Sequence, residues 1–138
     1  MTHAKATFTM KSWDEKTWAG QPYTEVTGAK LTRAEVAYTY EGDLVGDSTL
    51  QYLMFYRADG TGHAIALERI AGTLGGRRGS FVLQHSGTFA AQGVAGAFTV
   101  LPGSGTGELE GLRGEGQLII QEQPWSIELD YMVEAGVG

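Results

Sequence analysis

An all-β fold, an eight-stranded antiparallel up-and-down barrel, is what this sequence predicts, and three features carry the prediction. No window of eleven or more residues keeps apolar side chains at helical spacing. Alternation of apolar and polar residues instead recurs along most of the chain, the period of a strand with one buried face. Short Gly- and Pro-bearing clusters then cut the chain into eight runs joined mainly by hairpins, and closing such a meander removes the exposed edges a flat sheet would present. A two-sheet sandwich is the alternative arrangement. The 138 residues are read as one domain, 1–138, long enough to bury a core without metals or disulfides.

The elements follow in order. From Ala4 to Ser12 the face Ala4, Ala6, Phe8, Met10 is apolar, while Lys5, Thr7, Thr9 and Lys11 are polar. Asp14 to Lys30 has no alternation and is expected to cross one end of the barrel as an irregular segment. Leu31 to Asp43 sets Ala34, Val36, Tyr38 and Tyr40 against Arg33, Glu35, Thr39 and Glu41. Leu44 to Ala58 is a long aromatic strand, with a bulge expected at Gly46, and Asp59-Gly60 is a hairpin signal that returns the chain along Gly62 to Thr73. Ser80 to Phe89, Val94 to Leu101, Glu108 to Ile120 and Trp125 to Val133 complete the set. Between them lie turns at Leu74-Gly75-Gly76-Arg77, Ala90-Ala91-Gln92-Gly93, Pro102-Gly103-Ser104-Gly105 and Gln121-Glu122-Gln123-Pro124. The 21 glycines are about twice the usual share of roughly 7%, and those inside strands are read as bulges and barrel corners.

Composition excludes several classes of function. The formal net charge is −6, and Arg77-Arg78 is the one adjacent basic pair, so no phosphate-neutralising patch marks a nucleic-acid partner. No apolar run approaches 18 residues and the N-terminus lacks a basic and apolar leader, so no membrane partner is expected and a cytoplasmic location is. Cysteine is absent, which removes disulfides, thiolate catalysis and zinc ribbons. The histidines have no metal spacing, so neither a metal nor another cofactor is expected. Gly103-Ser104-Gly105-Thr106-Gly107 does not continue as a phosphate-binding loop, and no serine lies in a nucleophile elbow. Gly111-Leu112-Arg113-Gly114-Glu115-Gly116 reads as a bulged strand carrying an Arg–Glu pair.

Several longer motifs resemble the DUF3224 family. They are Ser12-Trp13-Asp14-Glu15-Lys16, Lys30-Leu31-Thr32-Arg33-Ala34, Tyr52-Leu53-Met54, Leu67-Glu68-Arg69 and Gly72-Thr73-Leu74-Gly75-Gly76-Arg77. With them stand Gly79 to Gly87, which includes Gln84-His85-Ser86, then Gly103 to Leu109, and Gly111 to Gly116. Thr17-Trp18-Ala19-Gly20-Gln21 looks like additional sequence near one barrel mouth. The resemblance spans nearly the whole chain and implies a small barrel of the allene oxide cyclase-like, dirigent-like type, closed around an apolar cavity. Relatives of that fold include cofactor-free cyclases of fatty-acid epoxides and polyketides, and guides of radical coupling, which is an analogy of fold alone.

Extended through each strand, the alternation turns Glu68, His85 and a set of tyrosines inward. Glu68 shares a face with Ala64, Ala66 and Ile70, where it is either a general acid or base or a buried partner of Arg69 or Arg113. A one-residue slip would instead turn it outward. His85 lies on the face of Phe81, Leu83 and Phe89, as a proton carrier or a structural histidine bonded to the next strand. Tyr38, Tyr40, Tyr52, Tyr56 and Tyr131 either orient a substrate oxygen or simply pack the core. The candidate catalytic residues are thus Glu68, His85 and Tyr52. The candidate ligand contacts are Tyr38, Tyr40, Met54, Tyr56, Phe81, Phe98, Trp125 and Tyr131.

The function this implies is a barrel that binds a hydrophobic small molecule, polyketide- or oxylipin-like, and acts as a cofactor-independent cyclase or isomerase. The alternatives are a non-catalytic carrier of an apolar metabolite and a filled structural barrel. Outward apolar residues such as Ile65, Leu67, Val82 and Leu101 predict a homo-oligomer, dimer or trimer. Trp18 and Trp125 line a mouth or cover that interface.

Overall fold

The computed structural model describes residues 1–120 and 124–134. Eight antiparallel strands close into a barrel in chain order: β1 (Thr2–Thr17), β2 (Lys30–Gly42), β3 (Leu44–Tyr56), β4 (Gly62–Leu74), β5 (Arg77–Ala90), β6 (Gly93–Val100), β7 (Leu112–Ile120) and β8 (Trp125–Val133). β8 returns to β1 through the pairs Phe8↔Trp125 to Thr2↔Tyr131. The expected fold is therefore the one found. The expected turn at Gln121-Glu122-Gln123 lies outside the described residues.

Four details differ from the sequence reading. β1 does not stop at Ser12: a register shift between Met10 and Ser12 lets it run on to Thr17, so Asp14 to Thr17 is strand rather than crossing segment. The shift also reverses which residues face in, and Met10, expected inside, is 44% exposed. Through Gly46 the ladder to β4 runs on without a shift, so no bulge interrupts it there. Glu108 lies in a short 3-10 turn, Gly107–Leu109, and β7 begins only at Leu112. Its ladder through Gly114 and Gly116 is regular, and the carboxylate that meets Arg113 is Glu134, at 2.9 Å.

Regular ladders give the strand glycines another role. A Cβ built at Gly116 would lie 2.6 Å from Phe98 Cζ, and one at Gly62 would lie 2.4 Å from Phe89 Cζ. Small residues facing inward make room for aromatic ones opposite, as a closed barrel of this size requires. At the β4–β5 turn the reason is conformational: Gly75 and Gly76 both have positive φ, which glycine adopts without strain.

One end of the barrel is sealed and the other half-open. Leu44, Leu74, Leu109 and Leu112 are at most 2% exposed and fill the sealed end, where the β6–β7 connection folds under. Ser80 Oγ and Thr106 Oγ1 are 2.7 Å apart and Ser104 Oγ donates to the Leu101 carbonyl, fixing that connection. At the other end Tyr52, Tyr56, Phe89 and Trp125 are only partly buried. The crossing segment lies here, its Tyr23–Glu25 3-10 turn placing Tyr23 in a stack with Tyr56, ring centroids 6.4 Å apart. Lys30 holds it down, its ammonium donating to the carbonyls of Tyr23 (2.6 Å) and Val26 (3.1 Å). No helix among the described residues is long and apolar enough to cross a membrane.

Candidate functional site

Four consecutive strands each send one polar side chain to a single point inside the barrel. Glu68 of β4 is fully buried. Its Oε2 accepts from Tyr40 Oη of β2 and Ser48 Oγ of β3, both at 2.6 Å. Its Oε1 accepts from His85 Nε2 of β5 at 2.7 Å. Neither Arg69 nor Arg113, the partners considered from sequence, takes part. A buried carboxylate needs such donors, because an unpaired one costs several kcal/mol to desolvate.

His85 is therefore tied through one ring nitrogen. Its Nδ1 makes no hydrogen bond among the described residues, yet no side-chain nitrogen or oxygen there is both buried and without a partner. Nδ1 is thus not fully buried, and the His85 side chain is 9% exposed. A histidine held through one nitrogen by a carboxylate, with the other free, has a defined tautomer and a base ready to accept a proton.

The ladder registers show what surrounds that nitrogen. One row of partners runs Glu15, Ala34, Tyr52, Ala66, His85, Phe98 and Gly116, so His85 has the small Ala66 on one side and the Phe98 ring, 5.3 Å away, on the other. Ala66 separates Tyr52 from His85 and leaves a gap between them. The next row toward the open end places Ala64, Gly87 and Gly96 on β4, β5 and β6, between the buried side chains of Met54 and Leu118. Tyr56 and Phe89, in edge contact at 4.8 Å, form the rim above.

On β1, three strands from Glu68 and four from His85, lies a second buried carboxylate. Glu15 Oε2 accepts from Thr32 Oγ1 at 2.7 Å and Tyr56 Oη at 2.5 Å, and Oε1 accepts from Trp13 Nε1 at 3.1 Å. Trp13 in turn lies 5.8 Å from the Tyr52 ring. Tyr52 and Tyr38 hydroxyls are 3.4 Å apart. Burial pushes the hydroxyls of Tyr38, Tyr40 and Tyr52 above the ordinary tyrosine range, and the Glu68 carboxylate adds to each shift. Tyr56 is raised by burial and by its bond to Glu15. All four stay neutral donors at physiological pH.

The residues singled out from sequence divide into three groups. Glu68, His85, Tyr40, Tyr52, Tyr38 and Tyr56 do gather in the two networks. Met54, Phe98 and Trp125 border the same half of the barrel, Trp125 lying 5.9 Å from Phe8 beside an open groove of about 510 Å³. Phe81 pairs with Ile70 and Tyr131 reaches the Gly75 turn, so both pack the sealed end and stand apart from His85. Trp18 is not at the mouth: it is 56% exposed on the outer wall, bonded to the Thr32 carbonyl and flanking a groove with Leu31, Leu53 and Ile65. Ile65 and Leu67 are 54% and 51% exposed on the same wall, whereas Val82 and Leu101 are half-covered beside the β6–β7 connection. Glu15, Ser48, Thr32, Trp13, Tyr23 and Lys30 were not foreseen. Ser48 and Thr32 carried a signal: Ser48 shares the inward parity of Leu50 and Tyr52, and Thr32 that of Ala34 and Val36.

The sequence matches the model of a family described as a protein of unknown function, DUF3224, over residues 4–131. The chain belongs to the DUF3224 family. Its structure resembles the crystal structure of a DUF3224-family protein of unknown function from Shewanella oneidensis MR-1, with 32% identity, 99% of each chain covered and a TM-score of 0.81. No curated protein matches the sequence. In this DUF3224 barrel the motifs Leu67-Glu68-Arg69 and Gln84-His85-Ser86 are the segments that supply the carboxylate and the imidazole of the inner network.

Proposed function

We propose that this DUF3224 barrel binds a small, mainly apolar aromatic molecule in its half-open end and exchanges a proton with it through His85, the chemistry of a cofactor-independent isomerase or cyclase. The observation that carries the reading is the state of His85: Nε2 is bonded to a fully buried Glu68 at 2.7 Å, Nδ1 makes no hydrogen bond among the described residues, and the next row toward the open end holds only the small residues Ala64, Gly87 and Gly96 on its own and the two adjacent strands. A proton taken by Nδ1 makes an imidazolium that Glu68 stabilises. The Tyr52 hydroxyl, across Ala66 in the same row, is a neutral donor for a developing oxyanion. The sealed half is packed, which limits the ligand to what the open half admits.

The three tryptophans provide the test. Trp13 and Trp125 border the open end and Trp18 lies on the outer wall, so their indole N–H resonances distinguish the two locations. Titration with 2-naphthol is expected to shift Trp13 and Trp125 saturably and leave Trp18 in place. Shifts confined to Trp18, or none, contradict the reading. Where a ligand is also turned over, Glu68→Gln is expected to depress turnover while leaving affinity nearly intact; a ligand that binds unchanged identifies a carrier.

A further inference from the structure

The outer wall of the barrel carries an apolar ridge beside a trough of small residues. Trp18, Leu31, Leu53, Phe55 and Ile65 border one shallow groove of about 270 Å³, and Leu67 follows Ile65 on the same face of β4. These six side chains are 40–56% exposed. At about 200 Å² for a large side chain, they leave roughly 600 Å² of apolar surface in water, the upper end of the about 300–600 Å² found on a monomer. One ladder row runs from this ridge straight into the trough: Leu53, Ile65, Ser86, Ala97 and Gln117. Beyond Ile65 the outward residues are small, and Ser86, Thr88, Ala95 and Ala97 line a second groove of about 460 Å³. His63 borders both grooves, so ridge and trough share an edge.

Charge singles out the same wall. The chain has 16 acidic residues and a formal net charge of −6, yet along β3 to β6 the one carboxylate that faces outward is Asp47. The other strands carry Asp14, Glu35, Glu115, Glu128 and Asp130, all exposed. Two copies meeting through those strands would set like charges against each other, which is costly. Meeting through β3 to β6 they would not, and depletion of charge around an apolar centre is what marks the core of a protein–protein interface. A standard interface buries about 800 Å² on each partner. The ridge supplies most of that area and the lining of the trough supplies the remainder.

We propose that a second copy of this chain covers the β3–β6 wall, the two copies related by a two-fold axis that passes between ridge and trough, so that Leu53 and Ile65 of each enter the trough lined by Ser86 and Ala97 in the other. A two-fold contact pairs a patch with itself and therefore needs a surface complementary to itself. A ridge and a trough on adjacent strands meet that need. A ridge alone would set Ile65 against its own mate and leave the trough unfilled.

Sedimentation equilibrium of the full chain tests this. The parent protein is expected at twice the 14.8 kDa of one chain. Ile65 on the ridge and Ala97 in the trough are both exposed, so Ile65→Glu and Ala97→Lys should each keep the far-ultraviolet circular dichroism of the barrel while sedimenting as a single chain. Mixed in equal amounts, the two variants should return to the two-chain mass, because a mixed pair keeps one unaltered contact and sets glutamate against lysine in the other. Met132 is 43% exposed on β8, the strand opposite β4 in the closed ring, and Met132→Lys should leave the two-chain mass unchanged. A parent protein that sediments as one chain up to its highest soluble concentration, or as three, overturns the proposal. Loss of the dimer in Met132→Lys, or its survival in Ile65→Glu, overturns the choice of wall. A mixture that stays at the single-chain mass overturns the seating of ridge in trough.

Discussion

Replacing Glu68 by glutamine should move the proton on His85 from Nε2 to Nδ1 and cost the fold a moderate amount of stability. The Tyr40 and Ser48 hydroxyls both donate to Oε2 at 2.6 Å, so the amide oxygen is fixed on their side and the NH₂ faces His85. The imidazole must then accept at Nε2, and its neutral form carries the proton at Nδ1. Three hydrogen bonds to a charged acceptor, each worth about 1.5–3 kcal/mol, become bonds to a neutral one at about 0.5–1.5 kcal/mol. Part of that loss is offset because a neutral amide is cheaper to bury than a carboxylate, leaving a net destabilisation of about 1–2 kcal/mol. Urea denaturation reads this as a midpoint lower by about 1 M. The nitrogen-15 shifts of the His85 ring read the tautomer directly. A wild-type protein whose neutral His85 already carries its proton on Nδ1 would refute the reasoning, and so would a Glu68→Gln variant more stable than the parent.

Other outcomes follow from the same geometry. Tyr40→Phe removes one of three donors from a buried carboxylate and should destabilise by about 1–3 kcal/mol in the same denaturation assay, with His85 keeping its tautomer. Gly116→Ala forces a methyl to 2.0 Å from the Glu128 carbonyl and 2.6 Å from Phe98, a loss of about 3 kcal/mol or more. By contrast Gly96→Ala meets nothing closer than 3.4 Å, so it should fold with near-parental stability and yet weaken binding of 2-naphthol by adding a methyl to the row of small residues next to His85. Stability should fall at high pH. Tyr38, Tyr40 and Tyr52 keep their protons in the folded state while the unfolded chain ionises above about pH 10, so each contributes a loss of about 1.4 kcal/mol per pH unit from there upward. Denaturation midpoints measured from pH 9 to 11 check the slope, and a flat profile would contradict the burial of these hydroxyls.

Much of the barrel could be read from sequence because its ladders are regular: wherever alternation was unbroken, as from Val36 to Tyr40 or from Ala64 to Ile70, the inward face was the one observed. Reading failed at β1, where the shift between Met10 and Ser12 exchanges the two faces and leaves no mark in composition. Glu15 therefore appeared to belong to an irregular crossing segment and Trp13 to no strand, and the second carboxylate went unseen. Glu68 and His85 were recognised as inward, but not as each other's partners. That pairing depends on the relative register of four strands, whereas a single strand's pattern reports only its own facing. The strand glycines misled for a related reason: Gly116 and Gly62 answer to Phe98 and Phe89 on neighbouring strands rather than to a local bend.

The central claim is that His85 Nδ1 is a free base facing a ligand space, and the most direct measurement is the nitrogen-15 resonance of that atom while 2-naphthol is added. A saturable shift of His85 Nδ1, tracking the same binding curve as the Trp13 and Trp125 indoles, is the predicted result. A resonance that stays fixed while 2-naphthol saturates the protein elsewhere would show that the Glu68–His85 pair is a structural element of the barrel wall and not part of a site.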